Sequence, residues 1–319
     1  MIDRRRFVCS ASALGLAAAL TGCNTSAAPV LRLGKHVWPG YALLSLGADL
    51  GALDESLVKI VNTPSASASI RSLEGGVLDA ACLTIDEVLT ARESGLPLTV
   101  VAVVDVSQGA DVLLAPGDVT DVASLNGLRI GVEQTAVGAV MLDAALRAAS
   151  LTATDVTVVY SAINEHEDFL KAGKIDAVVT YEPVKSRLLG TGMREVFSSA
   201  AIPGKIIDTI AVRADFAKDN PANVTALVKG FFVGRDAWVG SPASHSDRLG
   251  QILGLPATAV AASFDGLLLP DHAENRRWFA GAPSRIEGVV KDIAEVLLMA
   301  GLLRRPADLQ GIADGRFLG

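Results

Sequence analysis

Apolar residues recur along this chain in two rhythms, short unbroken runs and longer stretches at helical spacing. "VLRLGKHVW" reads as a strand and "YALLSLGADLG" as a helix, then "LVKIVN" as a strand and "SASIRSLEGG" as a helix. "LDAACLTI" leads into "DEVLTARESG", and "LTVVAVVDV" closes a first group. A second group runs from "LNGLRIGVE" through "AVGAVMLDAALRAAS", "VTVVY", "HEDFLKAG" and "DAVVTYE" to "REVFSS". Connections are short. Alternation of this kind predicts an α/β protein with parallel sheets covered by helices. The last third is mainly helical. Asn220-Pro221 starts one helix with a cap followed by proline, and "PSRIEGVVKDIAEVLLMAGLL" keeps helical spacing up to Gly301.

The two groups echo each other. "LEGGVLDAACLTIDEVL" (73–89) lines up with "LKAGKIDAVVTYEPV" (170–184). Each has a helix end, a glycine turn (Gly76, Gly173), an aliphatic-Asp-Ala opening and a buried strand. Each strand ends in Thr, one residue, then an acid: Thr84-Ile85-Asp86 and Thr180-Tyr181-Glu182. Any two strand–helix units share some of this. If the halves are related by pseudo-symmetry, Asp86 and Glu182 face each other across a cleft.

The amino-terminal segment "MIDRRRFVCSASALGLAAALTGC" has a positive start, an apolar stretch and small residues before Cys23. The apolar run falls short of the ~20 residues a bilayer needs, so residues 1–22 read as a secretory signal. Leu20-Thr21-Gly22-Cys23 has the form of a lipobox, which predicts acylation of Cys23. Arg4-Arg5-Arg6-Phe7 fits either a twin-arginine signal or an ordinary basic start. Residues 23–30 follow as a polar tether.

Removing the signal takes Lys+Arg from 28 to 25 and Asp+Glu from 35 to 34, so the mature charge is −9. An acidic chain has no electrostatic reason to bind nucleic acid. Of three cysteines, Cys9 leaves with the signal and Cys23 is the lipid site, so Cys82 stands alone. No disulfide within one mature chain and no cysteine-based metal site is expected. At 50% hydrophobic, the chain has apolar content for two cores of ordinary size.

"GKHVWPGYALLSLGADLGALD", the serine-rich "SASASIRSLEGGVLDAACLTIDEVL", "LNGLRIGVEQTAVGAVMLDAAL" and "DAVVTYEP" resemble the solute-binding proteins of ABC importers. The branch is the nitrate/sulfonate/taurine type, which includes binders of a thiamine pyrimidine precursor. The resemblance spans nearly all the mature chain. It implies a two-lobed, type II periplasmic-binding-protein-like fold, with two crossover strands and closure on a solute between the lobes. The crossings are expected near 109–116 and 206–215, giving one lobe of 31–109 with 212–319 and a second of 110–211. A monomer is expected, with an ABC permease and its ATPase as partners, a lipid anchor in the membrane, no cofactor, and an extracytoplasmic location. A lipid-anchored sensory domain would share this fold.

Ligands of open α/β sheets sit beyond the carboxyl ends of the strands. Aromatics are scarce, yet Trp38, Tyr41, Tyr160 and Tyr181 all fall at or just past a predicted strand end. Flat amphipathic rings suit a ligand wall. Trp238 and Trp278 belong to the helical tail and read as packing residues. Polar groups at the same ends are Ser65, Ser67, Thr84, Asp86, Asp105, Gln134, Thr135 and Glu182. Thr84 with Glu87 also fits a capping box, and Asp86 and Glu182 fit first turns favoured by the helix dipole. Carboxylates occupy these corners, and the strand ends otherwise carry no Arg or Lys, with Lys35 and His36 coming before Trp38 and read as pointing elsewhere. A solute with an amine or an N–H-rich ring is therefore expected, or a zwitterion whose anionic end meets Ser65, Ser67 or backbone N–H near Gly138.

Catalytic readings find little support. His36, His166, His245 and His272 form no metal spacing, and His166 in "NEHEDF" reads as part of a solvated helix face. A pyrimidine synthase of the same branch relies on a reactive His and a cysteine-rich motif, and the cysteine run is absent. Gly-x-Ser-x-Gly and P-loop motifs are absent too.

Overall fold

The computed structural model describes residues 29–134 and 136–319. The signal segment, Cys23 and Thr135 lie outside the described residues. In the first group come β1 (Leu31–Lys35), α1 (Pro39–Asp49), β2 (Val58–Asn62), α2 (Ala66–Glu74), β3 (Ala80–Thr84), α3 (Ile85–Glu93) and β4 (Leu98–Ser107). The second comprises β5 (Val112–Ala115), β6 (Arg129–Val132), α4 (Ala136–Ala148), β7 (Thr157–Tyr160), α5 (His166–Lys171), β8 (Ala177–Thr180), α6 (Val184–Leu189) and β9 (Arg194–Ser198). The remainder is β10 (Ile207–Arg213), α7 (Ala214–Asp219), α8 (Pro221–Gly240), α9 (Pro242–Leu253), α10 (Ala257–Val260), β11 (Leu267–Leu268), α11 (His272–Phe279) and α12 (Arg285–Met299).

Local chemistry sets the helix starts beside the sheets. Pro39 opens α1 directly after Trp38, where its fixed φ and missing N–H cost nothing. Ser65 caps α2 by accepting from Ala68 N–H at 3.2 Å. At α3 the Glu87 carboxylate accepts from Thr84 N–H at 3.0 Å, one half of a capping box.

Two sheets form, ordered β11-β4-β10-β3-β1-β2 and β7-β6-β8-β5-β9. β1 pairs parallel with β2 and β3, and β6 pairs parallel with β7 and β8. Both sheets are mixed. β10 runs antiparallel to β3 and β4, and β5 antiparallel to β8 and β9. The cause is topological: β5 and β10 arrive from the opposite lobe, enter their sheets at the cleft edge, and must run away from it. The return crossing is complete sooner than a boundary at residue 212 implies, because β10 pairs with the first sheet from Ile207 onward.

Ser199 ties the two crossings together. Its hydroxyl accepts from Gly109 N–H at 2.7 Å and lies 2.8 Å from the Ser107 hydroxyl, while Ser199 N–H donates to Asp111 O at 2.9 Å. The crossings therefore form one laced strip between the lobes.

The internal repeat is real at the level of contacts. Arg32 Nε donates to Asp79 at 2.7 Å, and a terminal nitrogen of Arg32 reaches Gly76 O at 2.9 Å. Arg129 does the same with Asp176 at 2.9 Å and Gly173 O at 2.6 Å. In both lobes one guanidinium clamps the glycine turn and the aspartate that open the inner parallel strand.

The first sheet is covered on one face by α1 and α8 and on the other by α3 and α12, each with its own apolar core. A third core fills the second lobe around Leu113, Ile130, Met141 and Ala177. α1 and α8 approach backbone to backbone. A Cβ on Gly47 would strike Gly230 O, and one on Gly234 would strike Leu43 O. The helical tail thereby fixes α1, whose first turn carries Trp38 and Tyr41.

Candidate functional site

The parallel strands point their carboxyl ends into the cleft, and the residues just past them line a small cavity. His36 and Trp38 follow β1, Thr84 and Glu87 stand at the β3–α3 junction, Asp111 lies on the first crossing, and Tyr181 follows β8. Tyr41 and Asp208 complete the wall with Val137. The cavity measures about 20 Å³, room for roughly one water.

The aromatic groups form a box with both lobes contributing. Trp38 and Tyr181 meet edge to face with centroids 5.3 Å apart, His36 and Tyr41 likewise at 5.1 Å. Trp38 Nε1 donates to Asp105 Oδ2 at 3.0 Å, and the Tyr41 hydroxyl donates to Asp208. Gly40 lets the Asp105 carboxylate approach α1, since a Cβ there would collide with it.

Five buried carboxyl groups surround this box: Asp86, Glu87, Asp105, Asp111 and Asp208. Burial, joined by the charge of Asp111, pushes Asp86 up to about 7. Burial likewise pushes Asp105 up to about 7, against the stabilising Trp38 N–H, and Asp111 up to about 6, against Ser107 and Lys185. Glu87 and Asp208 are held well above the usual carboxylate range by burial and neighbouring acids. Burial, and after it the Lys35 charge, lowers His36 to about 3, so its imidazole is neutral at pH 7. Several acceptors find no donor among the described residues: both Asp86 oxygens, Asp105 Oδ1 and Asp111 Oδ2. Thr84 Oγ1 and His36 Nδ1 are also without partners. Buried polar groups are rarely left so. Such acceptors can take hydrogen bonds from N–H or O–H groups.

A second opening of about 190 Å³ lies outside it, lined by Ser65, Ser67, Arg71, Glu133, Gln134, Tyr160, Ser161, Ala162 and Glu165. Glu133 bridges the lobes here. Its carboxylate lies 3.4 Å from Ser67 N and 3.3 Å from Ser67 Oγ, and accepts from the Tyr181 hydroxyl at 3.4 Å.

Of the sequence-predicted residues, Trp38, Tyr41, Thr84 and Tyr181 meet at the inner cavity, with Asp105 and Asp86 in its buried acidic surround. Ser65, Ser67, Gln134 and Tyr160 gather at the outer opening. Glu182 joins neither. Its carboxylate turns onto the start of α6, the helix it precedes, accepting from Ser186 N–H at 3.2 Å and Ser186 Oγ at 2.9 Å. Gly138 lies in the first turn of α4. It is the point where α4 lies against the Glu133 carbonyl and the Val132 side chain, too close for a Cβ. His166 is not on a solvated face: it is buried, 3.3 Å from both Thr180 Oγ1 and Ser161 O. The acidic flanks of "NEHEDF" concealed an inward-facing position.

Sequence reading missed Asp111, Asp208 and Glu133 and set aside His36 and Glu87. A signal existed for the two aspartates. "GADVLLA" and "IIDTIAV" each set one acid at the edge of an apolar run, as "VVAVVDV" does with Asp105. A lone carboxylate in a buried strand needs a partner.

Residues 56–244 match the family model described as NMT1/THI5 like. No curated protein matches the chain in sequence. Among solved structures, the alkanesulfonate-binding protein SsuA from Xanthomonas axonopodis pv. citri, bound to MOPS, is similar with a TM-score of 0.76 and 18% identity, over 90% of this chain and 100% of that one. The periplasmic aliphatic sulphonate binding protein SsuA from Escherichia coli gives 0.70 and 20%, over 89% and 92%. The desulfurization enzyme DSZB gives 0.65 and 18%, over 91% and 98%. At such identities the likeness is one of fold, which binders and an enzyme share.

Proposed function

The chain belongs to the NMT1/THI5-like family, and from that premise we propose that it is the extracytoplasmic solute-binding component of an ABC importer. Its two lobes close on a small nitrogen-containing organic solute. The observation that carries this reading is the ring of five buried carboxyl groups with unpartnered acceptors around an aromatic box between the lobes. A cationic or N–H-rich head would satisfy those oxygens while Trp38, Tyr41 and Tyr181 cover its body, through charge-assisted hydrogen bonds and cation–π contact. The demand for hydrogen donors favours an amine or aminated heterocycle over a quaternary ammonium. A sulfonate placed there would meet like charge at low dielectric. The solute of the sulfonate-binding relatives is thus not carried over, except as the far end of a zwitterion such as taurine.

A binder fits better than a catalyst. Burial pushes the thiol of Cys82, the one cysteine among the described residues, upward and so disfavours a thiolate there. The solute would be handed to a membrane permease with its ATPase, and Cys23 would hold the protein at the membrane. Cys23→Ser should release the protein or leave an unprocessed precursor, and unchanged partitioning and migration would refute the anchor. The solute reading is tested by a thermal-shift screen against amines, aminopyrimidines, amino acids, taurine, nitrate and alkanesulfonates. A ligand at a hundred times its Kd adds about 2.7 kcal/mol of stability. Stabilisation by alkanesulfonates and by no nitrogen compound would overturn the reading.

A further inference from the structure

We propose that Glu133 is an interlobe latch and an anion filter: carried by the second lobe, it seats on the amino end of α2 in the first lobe, holds the cleft shut, and denies that helix end to anionic solute groups. α2 spans nine residues, and its first N–H groups carry the positive end of the helix dipole. Ser65 covers only the Ala68 N–H. The Ser67 N–H faces Glu133 instead, at 3.4 Å, with the Ser67 hydroxyl at 3.3 Å from both Glu133 and the Gln134 carbonyl. The other Glu133 oxygen takes the Tyr181 hydroxyl at 3.4 Å, linking the latch to the aromatic box.

The mounting is stiff. Gly138 lies flush on the Glu133 backbone, and Ser161 N–H donates to Val132 O at 3.1 Å, so the residue leaves β6 in one direction. Glu133 is buried, so its seat on α2 is not a chance surface contact. Other ionisable groups close by are Glu87 toward the inner cavity and Arg71 and Glu165 at the outer opening. Burial raises Glu133, while hydrogen bonds from Ser67, Ser65 and Tyr181 favour its ionised form. Once ionised on α2, its carboxylate would repel a second anion entering there. The filter rests on the cleft being the solute site; the latch does not.

The test compares purified wild type with Glu133→Gln and Glu133→Ala, after circular dichroism shows that each is folded. Ligand-free scattering should give a larger radius of gyration for both variants, as the lobes part. Titration with ethanesulfonate should show little binding to wild type and at least about tenfold tighter binding to Glu133→Gln. If Glu133→Ala fails to fold, the near-isosteric Glu133→Gln carries both measurements. An unchanged scattering profile in the folded variants overturns the latch, and an unchanged ethanesulfonate affinity overturns the filter. The scattering needs no solute, so its outcome stands apart from whether any nitrogen compound binds wild type.

Discussion

The Trp38 indole, carried by the first lobe, meets the Tyr181 ring of the second edge to face, with centroids 5.3 Å apart. Such a pair contributes about 0.5–1.5 kcal/mol beyond its buried area. It joins the lobes at the wall of the acid-ringed cavity. Trp38 does a second job, since its N–H is the donor to Asp105.

Trp38→Phe separates these roles. It keeps a ring against Tyr181 and deletes the hydrogen bond, leaving a buried Asp105 oxygen without its donor. The loss should be about 1–3 kcal/mol in urea unfolding at pH 8. It should shrink at pH 5, where Asp105, pushed up to about 7, is already protonated. An equal loss at both pH values would mean that packing, not the carboxylate, explains the cost.

Stability should fall as pH rises through neutrality. Asp86 and Asp105 titrate near 7 in the fold against an ordinary value of 3.8, so the folded state holds more protons than the unfolded chain in between. Their stabilising contribution is full below about pH 4 and is lost as pH climbs through 7. The urea midpoint of the ligand-free protein should therefore decline from pH 5 to 8, and Asp86→Asn with Asp105→Asn should flatten the decline. A cationic solute should show the opposite trend, binding more tightly at pH 8, where these carboxyls are ionised. A flat stability profile in the wild type would argue against the raised values.

Much of the fold was legible because its signals are local. Alternating apolar runs, proline helix starts and the paired glycine turns each act within a few residues, and they place the elements correctly. The antiparallel insertion of β5 and β10 was not legible, because it follows from the chain's passage between lobes. The site divides in the same way. Trp38, Tyr41 and Tyr181 stood out as scarce rings at strand ends, whereas Asp111 and Asp208 gain meaning only when the two crossings bring them to one cavity. The strand-end rule also pointed to Glu182, whose carboxylate turns onto Ser186, because an echo of Asp86 in sequence does not fix where a side chain turns.

The contact between α1 and α8 is a further point of vulnerability. Gly234→Ala would drive a methyl group into Leu43 O, and neither backbone has space to yield. Overpacking of this kind costs about 1–3 kcal/mol. Calorimetry should register that loss. Because α1 would also be displaced with Trp38 at its start, solute affinity should weaken alongside. Gly240→Ala, on the same helix with nothing near its Cβ, is the control and should change neither quantity. A Gly234→Ala protein as stable as the control would mean that the helices part at no cost.

Asp86 and Glu182 differ in what each carboxylate touches. Glu182 closes on Ser186 N–H and Oγ at the start of α6, whereas both Asp86 oxygens are buried with no donor among the described residues. Glu182→Gln exchanges a charged acceptor for a neutral one at the helix start, so it should cost up to about 1 kcal/mol of stability and spare solute affinity. Asp86→Asn should do the reverse. It removes a carboxylate that burial disfavours, so the ligand-free protein should hold or gain stability at pH 8. It also removes a charged acceptor, so binding of a cationic solute should weaken by about ten- to a hundredfold, the equivalent of 1.5–3 kcal/mol. Isothermal titration and urea unfolding of both variants give four numbers with a crossed pattern. If Glu182→Gln loses affinity while Asp86→Asn keeps it, the solute lies beside α6, and the acid-ringed cavity is not where it binds.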